Sequence, residues 1–386
     1  MKKEVISKIE SKLKKAFEIN KEKIHKARRD FIIRFIVSLI LCRSVQYPDL
    51  SQVFNDEVEK ESNHRRIQDF IANYNLSYVQ IALLTSCFLP KGKWDLSIDR
   101  TNWKFGGQSF NILAVTVYCK GVGVPIYFEM LDNKGGNSNQ KQRIDLLGKI
   151  IKIFGKKQIN CIIGDREFIG EKWCKWLIKN KIHFYIRIHN DHKIKLKNGK
   201  EHRAENLVYP KRKRFFENVE VFGCKVNVAL QKTNKKNKKG ERENLVVVTN
   251  SDVRGALHAY KTRWSIEVFF QSIKKRGFKL ESTHLKDPIR LKKLFALVCV
   301  AYTICLKIGI WKHENIKAII IKKHGYKAKS FFRYGLDSWQ DIFRCLYRKQ
   351  KLLDDFLQII IESLEANLFR YKQNLDIILR KKSFLM

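Results

Sequence analysis

Between residues 94 and 188 the sequence lays down its strand signals in an order that constrains the whole chain. WDLSIDRTNWKF (94–105) alternates apolar and polar side chains, and the Gly106-Gly107 pair turns it. FNILAVTVYC (110–119) is a strongly apolar second strand; Gly121 and Gly123 mark the next turn, and the chain returns over 124–131 as the third strand of a meander. The loop DNKGGNSN and a helix over 140–154 follow. INCIIG (159–164) is then a short, continuous apolar run, as expected of a strand buried on both faces. It ends at Asp165, a helix over 169–179 comes next, and HFYIRI (183–188) reads as a fifth strand.

Three meander strands followed by strand–helix units is the order of an α/β domain of the ribonuclease H-like (retroviral integrase superfamily) kind. Residues 190–244 interrupt it with a β-rich insertion. KIKLKNGKEH alternates around Asn198-Gly199, a strong hairpin signal, and further strands are expected at 217–222 and 225–232 before LVVVTN resumes the core. Residues 1–90 and 286–386 read as helical, which leaves 91–285 as the core with its insertion. In the first region the helices expected are 2–19, 23–41, 49–55 and 62–73, the last capped by Ser62 and carrying His64, Arg65 and Arg66 in its first turns. The last two suit a helix-turn-helix entering a major groove and equally suit a helical bundle with a solvated basic face.

YKTRWSIEVFFQSIK (260–274) has helical spacing. At about 100° per residue, Tyr260, Arg263, Glu267 and Lys274 fall within about 60° of one another, while Ile266, Phe269 and Ile273 gather opposite. The helix thus has one face for a core and another bearing an acid, two bases and a phenol. Two further carboxylates stand out. Asp99 sits inside a strand, where aspartate is disfavoured unless used, and Asp165 follows a buried strand, where open α/β sheets keep their sites. Each has a plain structural reading: Asp99 a turn former, Asp165 a helix cap, Glu267 a surface charge. In the expected fold, however, the three elements lie side by side. Converging carboxylates repel unless cations neutralise them, and oxygen-only ligands suit magnesium or manganese, with two ions able to clamp a phosphoryl transfer. Glu167 and Asp132 are read as a structural group and a loop residue.

Charge names the partner class. Lysine and arginine number 78 against 38 acids, a formal net charge of +40, which argues for a polyanion, usually nucleic acid, against the plain alternative of a lysine-rich proteome with no specific partner. The nine cysteines form no CxxC pair, and the histidines show no HxxxH or HExxH spacing. Free thiols in a reducing cytoplasm fit better than disulfides or zinc. The apolar runs 31–42 and 294–306 read as buried helices, so no membrane partner is expected.

The motifs resemble those of the DDE transposases of bacterial insertion sequences, in the family marked by a Y-x2-R-x3-E-x6-K signature. Tyr260, Arg263, Glu267 and Lys274 match that signature, LSIDRTNWKFG looks like the first-aspartate block at Asp99, and IIGDREFIG looks like the second at Asp165. YIRI with Arg187, and GFKLESTHLKDP, are also similar, and the resemblance spans about residues 90–340. It implies a cut-and-paste enzyme in which Asp99, Asp165 and Glu267 hold metal and water cleaves the transposon end. The freed 3′-hydroxyl then attacks further phosphodiesters. The partners it implies are the terminal inverted repeats, target DNA and a second protomer in a dimeric synaptic complex. Tyr260, Arg263 and Lys274 would grip phosphates, and Trp264 either stacks on a displaced base or packs in the core. Some hairpin-forming relatives carry tryptophan just before the strand preceding the signature helix; Asn244 stands there. The rivals are a metal-dependent nuclease of the same fold and a domesticated DNA-binding regulator.

Overall fold

The computed structural model of the protein describes residues 25–132, 136–210, 212–236, 242–323 and 325–382, with isolated positions 7, 11 and 240. The expected helix over 2–19 lies outside the described residues. By internal packing the chain forms two units: Lys91–Asn102 with Asn111–Val268, and Met1–Pro90 with Trp103–Phe110 and Phe269–Met386.

The first unit is built on the sheet. The expected meander is present as β1 (Trp94–Phe105), β2 (Gln108–Cys119) and β3 (Val122–Met130). β4 (Ile159–Gly164) and β5 (His183–Arg187) run parallel to one another, and β4 runs parallel to β1. The crossover helix Gln140–Phe154 begins in a capping box, with Asn139 and Gln142 exchanging side-chain-to-backbone hydrogen bonds. The Asn198-Gly199 hairpin joins β6 (Lys193–Lys195) to β7 (Glu201–Arg203), and β8 (Arg214–Val221), β9 (Cys224–Lys236) and β10 (Arg242–Thr249) follow. The ten strands among the described residues belong to one sheet, in the order β3-β2-β1-β4-β5-β10-β9-β8-β6-β7. The inserted strands therefore extend the core sheet: β10 pairs antiparallel with β5 and with β9, so each strand's edge groups are satisfied by the next.

The other unit is helical. Its first helices are α1 (Lys26–Cys42), α2 (Tyr47–Phe54), α3 (Lys60–Asn73) and α4 (Tyr78–Ser86). Ser62 lies inside α3, whose N-cap position is Glu59, so the expected cap is corrected by three residues. Phe31 of α1 stacks on Phe70 of α3 at 4.0 Å between ring centroids. The run 294–306 lies within a helix, Pro288–Asn315, which is long and apolar enough to cross a membrane, yet 83% of its apolar window is buried inside the fold. It is a core helix, as its sequence led one to expect. All nine cysteines are free thiols, and most are buried.

Candidate active site

Strand register brings the two aspartates together. Ile98 pairs with Gly164 across β1 and β4, and Gly164 pairs with Ile186 across β4 and β5. The next residues, Asp99, Asp165 and Arg187, therefore stand in a row across three parallel strands, at the carboxyl ends of β4 and β5, the position at which open α/β sheets build sites. Gly164 makes the exit from β4 possible, since a Cβ there would lie 2.8 Å from the Cβ of Phe168. The turn beyond closes with the Phe168 N–H donating to the Asp165 carbonyl at 2.9 Å. Asp165 caps no helix: the helix that follows, Glu171–Lys179, begins after Gly170.

The signature segment is not one helix. It is α7 here (Ala256–Lys261), a break at Thr262 and Arg263, α8 (Trp264–Gln271) and a π-helical turn, Ser272–Arg276. A π turn changes the angular step between residues, so Lys274 does not continue an α-helical stripe. Tyr260 is anchored in the core among Cys161, Ile163, Ala229, Val247 and Leu257, and its hydroxyl donates to Asp165 Oδ1 at 3.1 Å. The apolar positions behave as expected: Ile266, Phe269 and Ile273 are fully buried.

Arg263, at the break, is the centre of the site. Its Nη1 meets Asp99 Oδ2 at 3.2 Å, its Nη2 lies 3.9 Å from Asp165 Oδ2, and Nη2 also donates to Glu267 Oε1. One guanidinium thus gathers the carboxylates of Asp99 within β1, Asp165 just past the end of β4, and Glu267 on a helix. Each aspartate also accepts from the next backbone N–H, Arg100 at 2.7 Å and Arg166 at 2.8 Å.

The electrostatics divide the aspartates. Burial pushes Asp99 up from 3.8 to about 7; Arg263 and the Arg100 N–H oppose the shift, while Glu267 and Asp165 reinforce it. Burial also raises Asp165, but Arg263, the Arg166 N–H, Arg187 and the Tyr260 hydroxyl outweigh it, and its pKa ends below the ordinary value. Burial weakens the Arg263 charge, yet Tyr260 and the acids together hold it above its usual range. Arg263 is the guanidinium that reaches all three carboxylates, and three acids around it leave room for more cationic charge.

These donors fit a hard divalent cation: all are carboxylate oxygens, and a cation already stands among them in the form of the Arg263 guanidinium. As they stand, no three such side chains among the described residues are gathered into a ready ligand set. The guanidinium must withdraw for them to share an ion.

A second polar network braces the first. Arg100 Nε donates to both Glu167 oxygens at 3.2 Å, and its Nη1 donates to Asn111 Oδ1 at 3.1 Å. Ser138 Oγ donates to Glu167 Oε1 at 3.1 Å, and Arg143 Nε donates to Ser138 Oγ at 2.9 Å. Glu167 is therefore structural, as expected. Arg100, Asn111, Ser138 and Arg143 were not singled out in the sequence; the signal was an arginine directly after each aspartate, at 100 and 166.

The remaining candidates are spread out. Arg187 is held by Glu243 at 3.3 Å and by the Asn244 carbonyl at 3.2 Å. Asn244 itself lies inside β10 rather than before it. Trp264 is 55% exposed, which rules out core burial. Lys274 belongs to the helical unit, where its ammonium pairs with Glu281 at 2.6 Å and lies 5.6 Å from the centre of the Trp103 ring. Arg65 and Arg66 are exposed on α3, and Arg65 lines a cavity of about 740 Å³ with Tyr47, His64, His284 and Arg290.

Comparison with known proteins gives a family and, among several matching solved structures, a transposase complex. The family described as Transposase DDE domain matches residues 90–304. A piggyBac transposase synaptic complex with hairpin DNA, solved by cryo-EM, is 13% identical with a TM-score of 0.43, covering 92% of this chain and 82% of that one. No curated protein sequence matches.

Proposed function

The chain belongs to the transposase DDE-domain family, and on that premise we propose that it is a cut-and-paste DNA transposase of the Y-x2-R-x3-E-x6-K group, encoded by a bacterial insertion sequence and acting in the cytoplasm at the nucleoid. The sheet core is of the ribonuclease H-like kind, with the residues between β5 and β10 as its insertion. The convergence of Asp99, Asp165 and Glu267 on one guanidinium carries the reading.

In this mechanism Asp99, Asp165 and Glu267 would hold two magnesium or manganese ions, whose chemistry would be to activate water as the nucleophile and stabilise the leaving oxygen of the scissile phosphodiester. The protein's own groups do the rest. Tyr260 orients Asp165 through its hydroxyl, and the Arg100–Glu167 network holds the backbone that carries both aspartates. Arg263, released from the carboxylates, turns to a phosphate, for which its planar fork is suited. Lys274 grips a further phosphate. The exposed Trp264 indole offers a stacking face for a displaced base. Because two ends must be paired, the working species on DNA is a dimer bridging the terminal inverted repeats before strand transfer into target DNA.

Glu267→Ala is the direct test. The variant should still shift end DNA in a gel while losing strand cleavage at least about 100-fold, since a metal ligand acts in the chemistry rather than in docking. Normal cleavage by the variant would refute the assignment.

A further inference from the structure

The core helix Pro288–Asn315 (α9) and the helix Phe331–Arg344 (α10) pack backbone to backbone. A Cβ on Gly309 would lie 1.8 Å from the Phe331 carbonyl oxygen, and one on Gly335 would lie 1.8 Å from that of Cys305. This pair is a stiff mount for the segment between them, which folds back on itself. The Ala328 N–H donates to the Ile320 carbonyl at 2.8 Å, the Lys322 N–H to that of Tyr326 at 2.9 Å, and the Gly325 N–H to that of Lys322 at 2.8 Å. Its base is fastened by the Ile319 N–H, which donates to His313 Nδ1 at 2.7 Å, and by the Tyr334 hydroxyl, which donates to the Lys317 carbonyl at 3.0 Å.

Beyond that base the side chains face solvent. Ile320 is 70% exposed, Ile321 67% and Tyr326 74%. Large apolar groups clustered on one projection mark a contact surface rather than ordinary scatter. The charge around them is one-sided: no acid occurs between Glu314 and Asp337, a stretch that holds Lys317, Lys322, Lys323, Lys327, Lys329 and Arg333. Asp337 neutralises Lys329 at 2.7 Å and Arg333 at 2.9 Å. Lys317, Lys322 and Lys323 have no acidic partner among the described residues.

We infer that this projection enters a groove of duplex DNA, its lysines meeting phosphates while Ile320 and Ile321 press against sugar and base edges. A two-stranded ribbon fits a major groove, and aliphatic wedges are used in minor grooves. A second copy of the chain is the poorer occupant, because the same acid-free lysines would face each other on a molecule of net charge +40. The inference rests on the DNA transposase reading.

Two exposed variants separate the parts, and anisotropy with labelled duplex at several salt concentrations reads both. Replacing Lys317, Lys322 and Lys323 together by Gln should lower the slope of log affinity against log salt by about 3. Ile320→Ser with Ile321→Ser should weaken binding about tenfold at an unchanged slope. Wild-type affinity and slope in both variants would overturn the inference while leaving the transposase reading intact. So would an isoleucine pair variant that sediments as a monomer where the parent is a DNA-free dimer, with DNA binding unaltered. If the parent protein binds no duplex at any salt concentration, the transposase reading itself falls, and this inference with it.

Discussion

Arg263 makes contacts to Asp99, Asp165 and Glu267 from a single guanidinium, on a side chain that is only 11% exposed. Removing it strands carboxylates that remain close together, and the loss of one partner from a buried charge cluster is strongly destabilising. Arg263→Ala should therefore lose about 3–5 kcal/mol in urea melts with chelator present. Added magnesium should restore more stability to the variant than it adds to the parent, because the ion then takes over the arginine's electrostatic role. Asp99 allows a second test at this scale. Folded, it keeps its proton up to about pH 7, whereas the ordinary value for the group is 3.8. Between those values the native state binds more protons than the unfolded chain, so metal-free stability falls as pH rises. Asp165, with its lowered pKa, contributes a slope of the opposite sign, confined to the acid edge of this window where its unfolded form still binds protons. Asp99→Asn should flatten the decline between about pH 4 and pH 7 in denaturation midpoints, and an unchanged slope would remove Asp99 as its source.

Element by element, periodicity located nearly every strand of the sheet, including the Asn198-Gly199 hairpin. It could not see the break at Thr262–Arg263, because both halves of the signature segment keep helical patterning across it. Nor could it see the π turn, which keeps the same residue types with a different hydrogen-bond register. The α9–α10 contact was equally hidden, since Gly309 and Gly335 are read as helix-weakening residues until their neighbours are known. Adding a methyl at Gly335 would collide with the Cys305 carbonyl. Gly335→Ala should cost at least about 1–3 kcal/mol by chemical denaturation, and a neutral result would mean that the two helices can slide apart cheaply.

For the molecule as a whole, the +40 charge is the dominant long-range term. Such a chain gains affinity for DNA largely by releasing counterions, so binding should fall by about 10³ or more between 50 and 200 mM salt if at least about six phosphates are contacted. Anisotropy titrations across that range test this, and a flat response would count against DNA as the main partner. The two units divide this charge between different tasks. The sheet unit holds Asp99, Asp165, Glu267 and the arginines that neutralise them, whereas Arg65, Arg66, Lys274 and the α9–α10 projection belong to the helical unit.

The sequence by itself determined the order of strands along the chain, the crossover helix and the buried helix within 288–315, and it singled out Asp99, Asp165 and Glu267, because each is written in local periodicity, turn chemistry or a spaced motif. Only the tertiary structure decided that the insertion continues the main sheet, that Trp264 faces solvent, and that Arg263 stands among the acids as their cation. These depend on strand register, on packing between distant segments and on where a long side chain finds its charge partners. Asp99 and Glu267 are 168 residues apart in the chain, and no local pattern encodes the guanidinium that joins them.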